Sequence, residues 1–571
     1  MSSHTPLFDA ALDKILNGLV PHTRTCAETG EEFEIGEKEI EICKMHRVPP
    51  PTTVGWARTR IKRAFLGGVD LFRRTLPDGR SVVAMYDPES PATILPLLEW
   101  QSDAFDGLAF GASVQPNQPF FEQWPAFSTR VPRPAMIQGP SNENSEWALD
   151  GLYQKNCYFT YGGTQNEDLL YSDICISCKR SSDLTLCSDC DTCVDLVDCT
   201  NCTHVLFSER CERCFESLFC LECKDCSNCF GCTNLRYKQY YFFNEPLSKE
   251  EYTKRLATIN LADAEKLERW RQKVQTEIWD QSPRPADHQH HCEDCVGDGL
   301  RDSHQTSGVL VFDSERAYNT VFALHCTDVW NLTSDVYSQN CVSCVTTNNS
   351  SGCVCTIGCL ECLDVEYSEF CTSCEHCFGC IGLRHKKFCL FNKQYTEEEY
   401  WKLVDALKTV MLSRGEYGEF FPYRTSLFAY NTSHTESLFP LTKGDATKLG
   451  GRWYGFAQEK ALPATAIEEL PLRLADTTKE QLTQKYRCPI TERPFGFVAP
   501  EIEMRRALGI ALPRLHPTAR RMARMAHYFP FQFHRAACAQ CKKEIITRVP
   551  SNLSSRLLCE TCYSEWVTNE K

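Results

Sequence analysis

Four cysteines toward the C-terminal end have the spacing of a metal site. Cys538-x-x-Cys541 and Cys559-x-x-Cys562 are two pairs joined by the stretch from Lys542 to Leu558. A Cys-x-x-Cys turn brings two thiolates to one tetrahedral ion, and a second pair across a short hairpin completes the ligand set of a zinc ribbon. So small a module has little stability without its ion, so zinc is the expected cofactor. A second group, His288, His290, His291, Cys292 and Cys295, carries ligand types at short spacing. It reads as a candidate metal loop outside the three-residue frame, with surface histidines beside two solenoid-entry cysteines as the alternative. The sequence contains no glycine-rich phosphate loop, Gly-x-Ser-x-Gly elbow or His-Glu-x-x-His, and a non-enzyme with no evident small-molecule substrate is expected.

Most of the sulfur lies elsewhere. The chain has 36 cysteines in 571 residues. From Cys157 to Cys232 there are 15, all in one three-residue frame; from Cys326 to Cys389 there are 12, all but Cys355 in one frame. Neither a helix nor a flat strand has a period of three. A narrow β-solenoid of about 12 residues per coil does, with every third side chain inward and equivalent residues stacked at about 4.8 Å. Cys175, Cys187, Cys199, Cys211 and Cys223 then form one interior column, and Cys178, Cys190, Cys202, Cys214 and Cys226 the next. Cys371, Cys374, Cys377 and Cys380 line the second array. Small, polarisable sulfur suits so narrow an interior. The spacing resembles the tight β-helix of cysteine-rich insect antifreeze proteins, but the outward threonine face of those proteins is missing.

The sulfur has four readings: packed thiols with partial zinc, zinc clusters through the arrays, iron–sulfur clusters serving electron transfer, or a disulfide ladder. No array cysteine precedes proline, as a ferredoxin run would require. Disulfides would require export, and the N-terminal segment MSSHTPLFDAALDKILNGLV has no secretory pattern. No long apolar stretch predicts a membrane span, so a cytoplasmic protein with packed thiols and partial zinc is expected.

The chain is doubly repetitive. CKDCSNCFGCTNLRYKQYYFFNEPLSKEEY, beginning at Cys223, matches CTSCEHCFGCIGLRHKKFCLFNKQYTEEEY, beginning at Cys371. CAETGEEFEI, beginning at Cys26, matches CPITERPFGF, beginning at Cys488. In the N-terminal copy, Thr75 and Asp78 are expected where ribbon cysteines would stand, so that copy has lost its metal. The net charge of −14 is uneven. Residues 55–80 carry a local +5, residues 505–543 carry +9, and the rest sum to −28. Arg58, Arg60, Lys62 and Arg63 at one end, and Arg520, Arg521, Arg524 and Arg535 at the other, form candidate nucleic-acid or ribosome contacts, with Tyr528, Phe529, Phe531 and Phe533 as stacking platforms. The competing reading docks these basic helices onto the chain's own acidic solenoids.

The string Cys-Phe-Gly-Cys-x-x-Leu-Arg-x-Lys, the Asn-Lys-Gln-Tyr-Thr-x-Glu-Glu-Tyr that follows it, the flanking Cys-x-x-Thr-Gly module and the C-terminal ribbon together resemble a family of uncharacterised cysteine-rich proteins from candidate-phyla bacteria. The resemblance implies a bacterial cytoplasmic setting and carries no activity. The expected organisation is mainly β with peripheral helices. It comprises a degenerate ribbon-like module (1–81), a connector (82–156), solenoid one (157–249), a capping helix and linker (250–287), solenoid two (288–395), a capping helix and connector (396–480) and a zinc-ribbon α+β module (481–571). The chain reads as a zinc-binding scaffold whose protein partner the sequence does not identify.

Overall fold

A computed structural model describes residues 3–570 except 69, 140, 198–201, 305, 313, 315–317, 322–329, 332, 337–338 and 527–531. Cys199, Cys326, Tyr528, Phe529 and Phe531 therefore lie outside the described residues.

The period of three is a backbone rule. The residue before each inward side chain is left-handed: Asn156, Ser177, Asp189, Arg213 and Ser373 have φ of 55, 55, 55, 48 and 49°. Each such residue turns the chain through a corner, and four corners close a coil in twelve residues. Only glycine takes this conformation freely, with Asn and Asp next. Glycine fills the corner in both Cys-Phe-Gly-Cys motifs, Gly231 and Gly379 at φ 61°. Elsewhere Arg, Tyr and Phe occupy corners, and parallel ladders hold them there. Asp189 N donates to Ile176 O at 2.9 Å, one coil back, and Lys179 N to Cys190 O at 2.8 Å, one coil forward.

The inward position sets a demand that sulfur meets. Its amide N–H points along the coil interior toward the side chain twelve residues earlier. Where that side chain is serine the bond is conventional: Cys193 N to Ser181 Oγ is 2.9 Å and Cys380 N to Ser368 Oγ is 2.9 Å. Asn166 Oδ1 serves Cys178 N at 2.9 Å. Where it is cysteine, Sγ accepts, as Cys214 does from the Cys226 amide. The thiol then donates to carbonyls two residues back and nine ahead, Cys214 Sγ reaching Glu212 O and Cys223 O, each at 3.5 Å. Cysteine is thus an apolar-sized group that satisfies a buried amide. Cys214→Ser is therefore expected to shift stability by less than about 1 kcal/mol. Cys214→Ala, which orphans the Cys226 amide, should cost about 1–3 kcal/mol. Chemical denaturation midpoints of the two variants check this, and equal losses would remove the acceptor role.

The first ladder begins before the cysteines do. Glu143 pairs with Lys155, and Leu152 with Thr164. Inward positions there hold Ser145, Ala148 and Gln154, all buried. The stretch expected as connector up to residue 156 thus ends in solenoid coils, because a small or amide side chain fills the early coils as well as cysteine does. The second ladder runs from Gln289 to Gln394 and starts with short steps. Gln289 pairs with Leu300, and Leu300 with Val311, each step falling just short of a full coil. Those short steps shift the frame. Cys292 and Cys295, expected to lie outside it, belong to the first coil of solenoid two and pack against its core. Each solenoid leads into a helix with a capping box: Ser248 and Glu251 for Lys249–Leu256, Thr396 and Glu399 for Glu397–Ser413. The segments 97–137 and 414–449 contribute Phe120, Trp124, Phe127, Phe420 and Phe421 to an aromatic core on solenoid two, with Tyr367, Phe378 and Phe391.

The terminal modules correspond in element order and offset. Helices Glu37–Met45 and Gly55–Arg63 in one recur as Ala499–Ala507 and Pro517–Ala526 in the other. The hairpin Phe72–Thr75/Ser81–Ala84 recurs as His534–Ala537/Glu544–Thr547. Each module grips both solenoids. Helix Gly55–Arg63 packs on solenoid two, while Leu71 of the same module packs with Leu149 and Tyr161 of solenoid one. Helix Pro517–Ala526 packs on solenoid one, while Leu557 pairs with Arg284 just ahead of solenoid two.

Candidate metal centre

The C-terminal hairpin and helix bring the four predicted ligands together. Cys538, Cys541, Cys559 and Cys562 each offer a sulfur, and the four atoms lie within 4.8 Å of one another. The hairpin turn is tight: Cys538 N donates to Lys543 O at 2.9 Å, Lys542 N donates back to Cys538 O at 3.1 Å, and Lys542 is left-handed at φ 64°. The second pair sits at the start of helix Glu560–Glu570, where Tyr563 N bonds Cys559 O at 2.8 Å. Cys559 N donates to Cys538 Sγ at 3.4 Å. Burial alone would push the Cys538 thiol up, but the amides of Cys559, Cys541 and Gln540 outweigh it and bring the thiol down to about 6. A thiolate is what a metal requires. The donor set, four sulfurs from two turns, fits one tetrahedral ion in a closed structural site.

The module carrying this cluster is tied to both solenoids. Thr547 Oγ1 donates to Ala286 O at 2.6 Å, and Ala286 N to Leu558 O at 2.9 Å. Tyr563 donates from its hydroxyl to Asn234 Oδ1 in the last coil of solenoid one. Arg548, fully buried, pairs with Asp298 of solenoid two.

The N-terminal copy shows what replaces the metal. Strands Phe72–Thr75 and His534–Ala537 correspond, so Leu76 and Gly79 stand where Cys538 and Cys541 stand. Thr75 and Asp78, the expected counterparts, lie one position too early. The hairpin turn in that copy is shorter than in the other, so the two sequences cannot be laid over both strands in one register. Leu76 is buried among Leu71, Met85, Tyr86 and Ile94. Arg80, in the turn, pairs with Asp78 and with Glu99 of helix Leu97–Gln101, linking hairpin to helix as an ion would. This pair is half exposed and contributes little stability; the apolar core holds this module.

The five-residue loop group is not one site. His288 is held between Glu222 Oε1 at 2.7 Å and Asp298 Oδ1 at 2.8 Å, one on each solenoid. Burial lowers its basicity, but the facing carboxylates outweigh this and raise it to about 9, so His288 is a cation in an ion-pair network. Cys292 Sγ donates to His290 O and Cys295 Sγ to Glu293 O. His290 and His291 instead gather with Asp302.

The basic clusters are internal. Arg58, Arg60, Lys62, Arg63, Arg521 and Arg524 are buried. Arg58 pairs with Glu39, and Arg60 with Glu28. Lys62 donates to Asn331 of solenoid two, and Arg63 meets His434 Nδ1 at 3.0 Å. Arg520 pairs with Asp183 and Glu501, Arg521 with Asp173, and Arg524 with Asp183. Arg535 is exposed and pairs with Glu544. Lys62, Arg520, Arg521 and Arg524 thus meet solenoid residues, as the docking reading expects, whereas Arg58 and Arg60 pair within the N-terminal module.

The described array thiols, Cys157 to Cys232 and Cys341 to Cys389, are buried and unbridged by disulfides. Burial pushes the Cys344, Cys355 and Cys359 thiols well above the usual range, which keeps them neutral. Cys355 sits at a corner outside the coil and donates to Glu419 O at 3.4 Å. Among the described residues, no array thiols join a group with three ligand atoms within 4.8 Å. Outward charges form ladders between coils, such as Lys155–Glu167–Lys179 and Arg213–Asp225. No described helix is long and apolar enough to cross a membrane. The chain matches no protein-family model, and no curated protein is similar to it.

Proposed function

We propose that this chain is a non-enzymatic scaffold that carries one structural zinc in its C-terminal module and presents two charge-laddered β-solenoids to a protein partner. The interlock carries this reading. Each terminal module packs against both solenoids, which leaves the outer solenoid faces as the surface offered to a partner. The burial of the described array thiols and their hydrogen bonds to coil carbonyls support a packing role for the array sulfur. The four-cysteine cluster supports zinc, the borderline ion that suits closed all-thiolate sites. Unbridged thiols in such number support a reducing bacterial cytoplasm, the setting the family resemblance implies. Nucleic-acid binding is disfavoured, since its candidate residues other than the exposed Arg535 are engaged internally.

Elemental analysis tests the proposal. Protein purified anaerobically and dialysed against a weak chelator is expected to retain one zinc and no iron per chain. Several retained zincs would make the arrays metal clusters, and iron with labile sulfide would make electron transfer the leading reading.

A further inference from the structure

We infer that His290, His291 and Asp302 form a second, solvent-open site for a borderline divalent cation such as zinc, cobalt or nickel, separate from the four-cysteine cluster. Each residue offers one ligand atom, and these atoms lie within 4.8 Å of one another. The short step at the start of solenoid two creates the arrangement. His291 and Asp302 are corners stacked in neighbouring coils, with φ 51 and 47°, and corners project their side chains outward. Asp302 N donates to His290 O at 2.9 Å, seating the carboxylate over the histidine pair. His291 Nδ1 stands 3.0 Å from Asp302 Oδ1, and the two imidazole rings lie 3.8 Å apart.

All three side chains are exposed, so small rotations bring the ligand atoms to the about 3.3 Å separation that metal–nitrogen bonds of about 2.0 Å require. Arg301, the cation beside the site, is directed at Glu212 of solenoid one, 3.9 Å away. Glu293 and His304, 4.0 Å apart beside the next corner, offer further donors. Two imidazoles and one carboxylate leave coordination positions for water, the pattern of an exchangeable site rather than a closed structural one.

The test is calorimetric titration of cobalt(II) into reduced protein whose four-cysteine cluster already carries its metal. One further equivalent is expected to bind without the intense thiolate absorption that cobalt would show on sulfur. His291→Ala and Asp302→Ala, surface changes that leave the ribbon intact, should each weaken it at least tenfold. Absence of a further equivalent, binding unchanged in both variants, or uptake accompanied by thiolate bands would each overturn the inference.

Discussion

Asp183→Asn is expected to destabilise the chain by about 3–5 kcal/mol, the cost of breaking a buried charge network from one side. Asp183 is buried and accepts from Arg524 at 2.7 Å, Arg520 at 2.8 Å and Arg505 at 3.4 Å. Burial alone would raise its carboxyl, yet the three guanidinium groups hold it below the usual range. Removing the carboxylate leaves Arg505 and Arg524 buried with one anion fewer.

The duplication supplies an internal control. Asn331 is displaced from Asp183 as Cys371 is from Cys223, and Lys62 from Arg524 as Cys26 is from Cys488. Lys62–Asn331 is therefore the counterpart of Arg524–Asp183. Arg58–Glu39 is likewise the counterpart of Arg520–Glu501. In the N-terminal copy the anion is gone, and burial drives Lys62 well below its ordinary value. Its native state therefore binds fewer protons than the unfolded chain below about pH 10.4, and this position costs stability most at low pH. Asn331→Asp should accordingly be neutral or stabilising, with any gain shrinking as pH rises toward that value. Denaturation midpoints of both variants between about pH 7 and 10 decide the matter. Similar losses in the two would mean that the charge network has no such role.

How much of this was legible depended on whether the signal was local. The corner-and-inward rule acts within three residues, so the cysteine frame disclosed the solenoids, and the two Cys-x-x-Cys turns disclosed their cluster. Three features were hidden for physical reasons. Any small side chain or amide that accepts the interior N–H can replace cysteine, so Ser145 and Gln154 gave no sign that coils had begun. A step just short of a full coil costs one ladder register but breaks the frame, so Cys292 and Cys295, at the entry of solenoid two, fell out of phase with its other cysteines. The basic helices had two sinks for their charge, an external polyanion or the internal Asp173 and Asp183. Only the fold, which brings Arg521 and Arg524 from the far end of the chain to those aspartates, distinguishes them.

Stripping the metal from the four-cysteine cluster is expected to release the C-terminal ribbon while the solenoid ladders stay formed. A structural zinc of this type contributes about 10–16 kcal/mol at neutral pH in isolated modules, more than a ribbon of this size can recover from packing. Cys538 and Leu558 pack against Cys559 and Cys562 themselves, so loss of the ion also loosens the small core around them. The consequence should travel along three named links: Thr547 to Ala286, Arg548 to Asp298, and Tyr563 to Asn234. Hydrogen exchange after chelation, or in Cys559→Ser, should rise at 534–570 and at 284–286, and remain low through 202–242 and 341–390. The N-terminal module, whose corresponding place is filled by Leu76 and its apolar neighbours, should not respond at all. Acid should act in the same direction, because protonating the thiolates competes with the ion. If chelation instead loosened both terminal modules equally, the ion would be stabilising the whole interlock rather than one copy of it, and the apolar replacement in the first module would need a different explanation.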